Sequence, residues 1–164
     1  MFNIVLVEPE IPQNTGNIVR TCAATGAVLH LVRPLGFEVT DKYLKRAGLD
    51  YWKDAKICFY DGFDEVREKF PYSPFYFFTT KAQKNYSEAE FCDGDFLVFG
   101  KETKGLPEEL LVKNKTSCLR IPMIGETRSL NLSNSVAIAL YEGLRQTGFE
   151  GFKTAGNLHR LNWD

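Results

Sequence analysis

Six short apolar runs, spaced by stretches of helical or loop patterning, limit what this chain can fold into more than any other feature. They are Phe2–Val7, Val28–Val32, Lys56–Tyr60, Phe75–Thr79, Phe96–Phe99 and Ser117–Ile121, each four to six residues long. Such runs are too short for buried helices, and their Val, Ile and Phe content marks them as strands buried on both faces. Between them the pattern predicts helices from Asn14 or Thr15 to about Thr25, from Asp41 to Ala47, over Phe63–Phe70 and over Pro107–Val112. Gly26 and Gly48 stand where helix-ending glycines belong. Pro9 and Pro12 predict a stiff loop after the first strand, with no helix there. Strands alternating with helices predict an α/β fold, a mostly parallel sheet with helices on both faces. In such sheets ligands bind beyond the carboxyl ends of the strands.

The last helix is the most clearly patterned. It begins around Ser129 to Asn131, residue types that cap helices well. Leu132, Val136, Leu140 and Leu144 then recur at every fourth position as one apolar ridge. Ser133, Ser135, Ala137 and Ala139 lie beside that ridge, small enough for another backbone to approach. Pro122 ends the strand before it, because proline has no N–H for the ladder. The tail from Gly148 to Asp164 is poorly patterned, and the stretch joining Phe75–Thr79 to Phe96–Phe99 is polar.

Several classes are excluded. The loop after the first strand reads Glu8-Pro9-Glu10-Ile11-Pro12-Gln13, which is no dinucleotide-binding glycine fingerprint. Gly100 and Gly105 have phosphate-loop spacing, yet Leu106-Pro107 replaces the Lys-Ser/Thr that such a loop requires. No apolar run approaches the roughly 20 residues of a membrane helix, and the N-terminus lacks the basic start of a secretory leader. A cytoplasmic protein without membrane association is therefore expected. Cys22, Cys58, Cys92 and Cys118 are widely spaced and read as reduced core thiols. With His30 and His159 the only histidines, no metal site is expected. A net charge of −1 argues against indiscriminate nucleic-acid coating. Local clusters at Lys42, Lys45 and Arg46, at Lys81 and Lys84, and at Lys101 and Lys104 leave room for a basic patch.

Three stretches carry a resemblance when taken in order. Asn14-Thr15-Gly16-Asn17-Ile18-Val19-Arg20 is similar to the first motif of the SpoU/TrmH branch of the SPOUT methyltransferases. Phe99-Gly100-Lys101-Glu102-Thr103-Lys104-Gly105-Leu106-Pro107 resembles the second, and Ile121-Pro122-Met123 with Ser129-Leu130-Asn131-Leu132-Ser133-Asn134 the third. Together they span most of the chain. Arg46-Ala47-Gly48-Leu49-Asp50-Tyr51 adds a likeness to the short TrmL (YibK-like) group of tRNA 2'-O-methyltransferases. The resemblance implies one methyltransferase domain over residues 1–164, with a deep trefoil knot in its C-terminal part, about 75–150. It also implies S-adenosylmethionine as cofactor (S-adenosylhomocysteine as product), a homodimer, and transfer to the ribose 2'-hydroxyl of a tRNA wobble nucleotide. An rRNA substrate and a non-catalytic RNA-binding module of the same fold are the alternatives.

By the same resemblance the cofactor lies among Phe78, Thr79, Gly100, Ile121, Met123, Ser129 and Leu130. Arg20, Glu102, Ser129 and Asn131 fall at catalytic positions, and Asn14, Arg46, Arg128 and Tyr141 at positions near RNA. Pattern alone gives each a plainer role. Phe78 and Ile121 suit a core strand, Gly100 a turn, and Ser129 and Asn131 a helix cap. Arg20 suits a surface ion pair, Glu102 a charged loop, Asn14 a cap and Tyr141 core or interface packing. A guanidinium keeps its proton under nearly all protein conditions, so Arg20 suits phosphate binding and alkoxide stabilisation better than base catalysis. Glu102 would orient Arg20 or its own loop, and Gly100 would let a backbone come close to the cofactor.

Overall fold

A computed structural model describes residues 1–39, 51–125 and 129–163. The strands are β1 (Asn3–Val7), β2 (Val28–Val32), β3 (Lys56–Tyr60), β4 (Phe75–Phe78), β5 (Lys84–Asn85), β6 (Phe96–Phe99) and β7 (Cys118–Arg120). They form one seven-stranded sheet in the order β3-β2-β1-β6-β4-β7-β5. Every neighbouring pair is parallel. The described α-helices are α1 (Pro12–Thr25), α2 (Phe63–Lys69), α3 (Glu108–Lys113) and α4 (Leu132–Gln146), with short 3-10 turns at Tyr86–Glu88 and Lys115–Ser117. The helix expected over Asp41–Ala47 lies outside the described residues.

Alternate residues of the strands feed two cores. Ile4, Leu6, Leu29, Leu31, Leu97, Phe99 and Leu119 pack with Ile18, Val19 and Cys22 of α1 and with the Leu132–Leu144 ridge of α4. Val5, Val7, Phe77, Phe96 and Val98 pack on the other face with Val66 of α2 and Leu111 of α3. This period of two is what strands buried on both faces require. Each fully buried large side chain adds about 1.5–3 kcal/mol, so the two layers hold most of the stability. The α4 ridge is buried along its whole length. Gly143 belongs to it by necessity, since a Cβ there would sit 2.7 Å from the Phe2 ring.

Several element ends shift from expectation by a residue, and two differences are larger. The first helix starts at Pro12, not at Asn14 or Thr15. Proline is tolerated at the first helical position because its missing N–H would have had no partner there. The two-residue β5 was not expected, being too short and polar to leave a pattern. Gly26 ends α1 in the left-handed conformation at φ +74°, and Asn131 caps α4 by accepting from the Ser133 and Asn134 N–H groups. The tail beyond Gly151 is almost wholly exposed; Phe149 and Phe152 pack on the core, whereas Trp163 is 73% exposed.

One buried polar group sits within the sheet. His30 is 1% exposed, with Nδ1 2.9 Å from the Tyr60 hydroxyl and Nε2 3.1 Å from Asn3 Oδ1. Asn3 Nδ2 donates to the Gly94 carbonyl, so its oxygen faces His30. Nε2 therefore carries the proton, and Nδ1 accepts from Tyr60. Burial, with Lys69 nearby, pushes the His30 pKa down to about 4. The unfolded chain takes up a proton near pH 6.5 that the folded chain refuses. Stability is then complete above about pH 6.5 and is lost as pH falls towards 4, by up to about 3 kcal/mol. Denaturant titrations at pH 7 and pH 4.5 should show this loss, and His30→Gln should remove most of the difference. An equally steep loss in the variant would assign it to other groups.

Candidate active site

The helix that carries the first motif has no cap of its own. Ile11 precedes it, and no side chain of that segment satisfies its first N–H groups. The Asn14 and Thr15 N–H groups donate to the Ile11 carbonyl, and the two residues leading into the helix are held from about ninety residues away. Glu102 Oε2 accepts from the Glu10 N–H at 2.8 Å, and Oε1 accepts from the Ile11 N–H at 3.2 Å. A carboxylate at a helix N-terminus also meets the positive end of the helix dipole. Asn14, 5% exposed, donates Nδ2 to Glu102 Oε1 at 2.9 Å. Its Oδ1 accepts from Asn131 Nδ2, also at 2.9 Å. Asn131 Oδ1 takes the Ser133 N–H and hydroxyl at 2.9 and 2.7 Å. One run of hydrogen bonds thus joins the loop after β6, the start of α1 and the start of α4.

The same loops are tied by a second set of contacts. Lys101 Nζ lies 2.6 Å from Glu8 Oε2, and Glu8 takes a left-handed φ of +52°. The Thr103 hydroxyl and N–H donate to Glu10 at 2.8 and 3.0 Å, which holds the Glu10 carboxyl below its usual range. Gly105 turns the loop back at φ +69°, its N–H donating to the Lys101 carbonyl at 2.8 Å. Gly100 lies under that turn. A Cβ on it would stand 2.1 Å from the Gly105 carbonyl carbon and 2.2 Å from the Leu106 nitrogen. The close approach that demands glycine is therefore by the chain's own returning loop.

A cavity of about 460 Å³ opens beyond the carboxyl ends of β4, β6 and β7. Phe78, Phe99, Ile121, Met123, Leu130 and Leu132 give it apolar walls. Phe78 and Phe99 stack on each other with centroids 4.8 Å apart, so that wall is stiff. Thr79, Glu102, Thr103, Ser129, Asn131 and Ser135 supply polar groups. Its size and mixed lining suit a nucleoside-sized ligand with one flat ring and one polar end. Among the described residues no helix is long and apolar enough to cross a membrane.

The cavity gathers Asn14, Phe78, Thr79, Gly100, Glu102, Ile121, Met123, Ser129, Leu130 and Asn131. These residues were expected near cofactor or substrate. The hydrogen bonds of Glu102 go to Glu10, Ile11 and Asn14 rather than to Arg20. Asn14 is no cap; it lies within α1 and bridges two segments. Arg20 is exposed, farther along α1, with its guanidinium carbon 4.9 Å from the Tyr51 ring centroid. Tyr141 is 47% exposed on α4 and lies against Phe149. Neither Arg20 nor Tyr141 lines the cavity. Arg46 and Arg128, like Lys42 and Lys45, lie outside the described residues. Sequence reasoning missed the wall residues Phe99 and Leu132, the polar Ser135 and the clasp formed by Glu8 and Glu10. Only Phe99 and Leu132, inside quoted motifs, carried a signal that could have found them.

Together these features define an α/β ligand-binding protein whose cavity is built from the loops after three adjacent strands. The chain belongs to the SpoU rRNA Methylase family, whose model matches residues 1–141. A tRNA (cytidine(34)-2'-O)-methyltransferase of Saccharophagus degradans is 49% identical over 154 residues, 93% of this chain and all of that protein. A Listeria innocua relative, given the same name provisionally, is 53% identical over 161 residues, 96% of this chain and 95% of its own. A solved structure described as giving insight into the 2-OH methylation of C/U34 on tRNA superposes with a TM-score of 0.86. It is 46% identical and covers 92% of this chain and 98% of its own. An AdoMet-bound rRNA methyltransferase from Sinorhizobium meliloti has a TM-score of 0.77 at 26% identity, over 88% of this chain and 56% of its own.

The Gly100 geometry generates a prediction. Gly100→Val should lower the melting temperature and abolish ligand binding together, because the Gly105–Leu106 backbone must move. Lost binding at an unchanged melting temperature would show instead that residue 100 acts only on the ligand.

Proposed function

We propose that the chain transfers a methyl group from S-adenosylmethionine to the ribose 2'-hydroxyl of the wobble nucleotide in the anticodon loop of certain tRNAs. The observation that carries the reading is the cavity itself, where residues from all three motifs meet behind stiff apolar walls. The names of the relatives support the tRNA substrate, and their lengths match this chain. Residues 1–164 would act as one methyltransferase domain, with a knotted cofactor region in about 75–150. The cytoplasm, where tRNA is modified, is the expected location.

When bound, the cofactor supplies a methyl group already activated by a sulfonium charge. The residues present fit it: Phe78, Leu130 and Ile121 would flank the adenine, with Thr79, Met123 and Ser129 about the remainder. The loop of Gly100 would supply backbone groups. The task left to the chain is to hold the ribose hydroxyl in line and ease loss of its proton. Arg20 would bind a phosphate of the RNA and stabilise the alkoxide as it forms. Ser129 and Asn131 would position the acceptor nucleotide, and Glu102 would keep Asn14 and Asn131 in register. Asn14, Arg46, Arg128 and Tyr141 would lie along the RNA. No step of this scheme requires a metal.

A homodimer is part of the reading. Ile138 and Tyr141 expose apolar surface on α4, beside half-buried Ser133, Ser135 and Ala137, which suits helix-to-helix packing between two copies. Light scattering at micromolar concentration should give twice the 18.7 kDa chain mass, and a monomer would count against this part.

The direct test is mass-spectrometric mapping of ribose methylation in tRNA from a deletion strain, with and without the gene restored. Methyl groups at the wobble ribose should return with the gene. Label confined to rRNA, or on bases, would overturn the substrate. Arg20→Ala should lower kcat by on the order of 10²-fold or more, with S-adenosylmethionine affinity by calorimetry nearly unchanged. Arg20→Lys should recover only part, since it keeps the charge but loses the planar fork.

A further inference from the structure

We infer that Tyr51 is a positioning residue for Arg20, its ring holding the guanidinium in place while leaving its positive charge uncancelled for an RNA phosphodiester. The inference rests on the role of Arg20 given above. The guanidinium carbon lies 4.9 Å from the Tyr51 ring centroid, well within cation–π reach. The kind of contact matters. A guanidinium carries five N–H donors and a full positive charge, and an aromatic ring attracts that charge without neutralising it. A carboxylate partner would take two donors and cancel the charge. Tyr51 takes neither, so it orders the side chain without spending the group that an anion needs.

Both partners are fixed to rigid parts of the molecule. Arg20 follows Ile18 and Val19, which are 0% and 1% exposed in the core under α1. The Tyr51 carbonyl accepts from the Asp54 and Ala55 N–H groups at 3.1 Å each, closing a turn. Trp52 and Ala55 pack on the same core cluster as α1, and β3 begins at Lys56. The Tyr51 ring, 37% exposed, is held against Arg20 from a stiff base. A long surface side chain would otherwise sample many rotamers, and that loss of freedom would fall on the RNA-binding step.

The test is a double-mutant cycle on tRNA methyl transfer, read under single-turnover conditions. Tyr51→Leu should lower kcat/KM for tRNA about fivefold, the size of a lost surface cation–π contact. Tyr51→Phe keeps the ring and should stay within about twofold of the parent by the same reasoning. Affinity for S-adenosylmethionine and the melting temperature should not change in either variant. Adding Tyr51→Leu to Arg20→Ala should cost nothing more. An equal loss in both backgrounds would mean that Tyr51 acts on RNA by itself, and would overturn the inference. Full activity of Arg20→Ala would overturn the reading of Arg20, visible without any Tyr51 variant. The Arg20 Nε–H resonance gives a readout independent of turnover. Its ring-current shift should persist in Tyr51→Phe and vanish in Tyr51→Leu, and the absence of any shift in the parent protein would also overturn the inference.

Discussion

The Glu102 carboxylate is the interaction on which the rest of the site depends. No side chain caps α1 from its own segment, and Glu102 takes the N–H groups of Glu10 and Ile11, the two residues that lead into it. It also takes Asn14, so its two oxygens accept three donors. Hydrogen bonds to a charged group contribute about 1.5–3 kcal/mol each, more than neutral ones. Removing the carboxylate would strand the Glu10 and Ile11 N–H groups and free the Asn14 amide, which also accepts from Asn131 at the start of α4. The first-motif helix and the third-motif helix are placed relative to each other by a residue of the second. Site and fold are coupled at this point.

The loop that delivers Glu102 is itself held by backbone geometry that few sequences tolerate. Gly105 turns it at a left-handed φ, and Gly100 leaves room for the return. Glu8 holds a left-handed φ without being glycine, a conformation that persists only when its surroundings fix it. The half-buried ion pair to Lys101 and the Thr103 bonds to Glu10 do so. An exposed pair of this kind would contribute little. Here its value is geometric, because it clamps the two loops on either side of the Glu102 carboxylate. A rigid frame of this kind is what a site must have when its task is alignment.

Much of this was legible in the sequence because it is local. Short apolar runs gave the six longer strands, and the fourfold spacing of Leu132, Val136, Leu140 and Leu144 gave α4 and its buried face. Asn131 and Gly26 act as the cap and stop their types suggest. What could not be read was set by contacts between distant residues. The local rule pointed to Asn14 or Thr15 as the cap, whereas the helix starts at Pro12 and the Asn14 amide is drawn to a carboxylate from another loop. Gly100 could be read as special but not as lying under Gly105, since the meeting of two backbones leaves no residue pattern. The two-residue β5 exists only because β7 offers it an edge, with Lys84 opposite Leu119 and Asn85 opposite Arg120.

The hydrogen-bond arrangement also separates the motif residues by what they have left to give. Both Glu102 oxygens are engaged by three donors, and Asn14 has its oxygen and one N–H committed to neighbours within the protein. The Asn131 oxygen accepts from Ser133 and Asn134, and its nitrogen has given one N–H to Asn14. A group whose valence is used by the fold can place a substrate but is poorly suited to exchange a proton with it. Arg20 stands apart, since its contact to the Tyr51 ring leaves the charge of the guanidinium uncancelled. The polar residues of the motifs therefore divide into a frame at the cavity, made of Glu102, Asn14 and Asn131, and an arginine farther along α1, against Tyr51. On the role proposed for Arg20, chemistry at a ribose hydroxyl would need both, because a charge that stabilises an alkoxide acts only if the alkoxide forms in a fixed place.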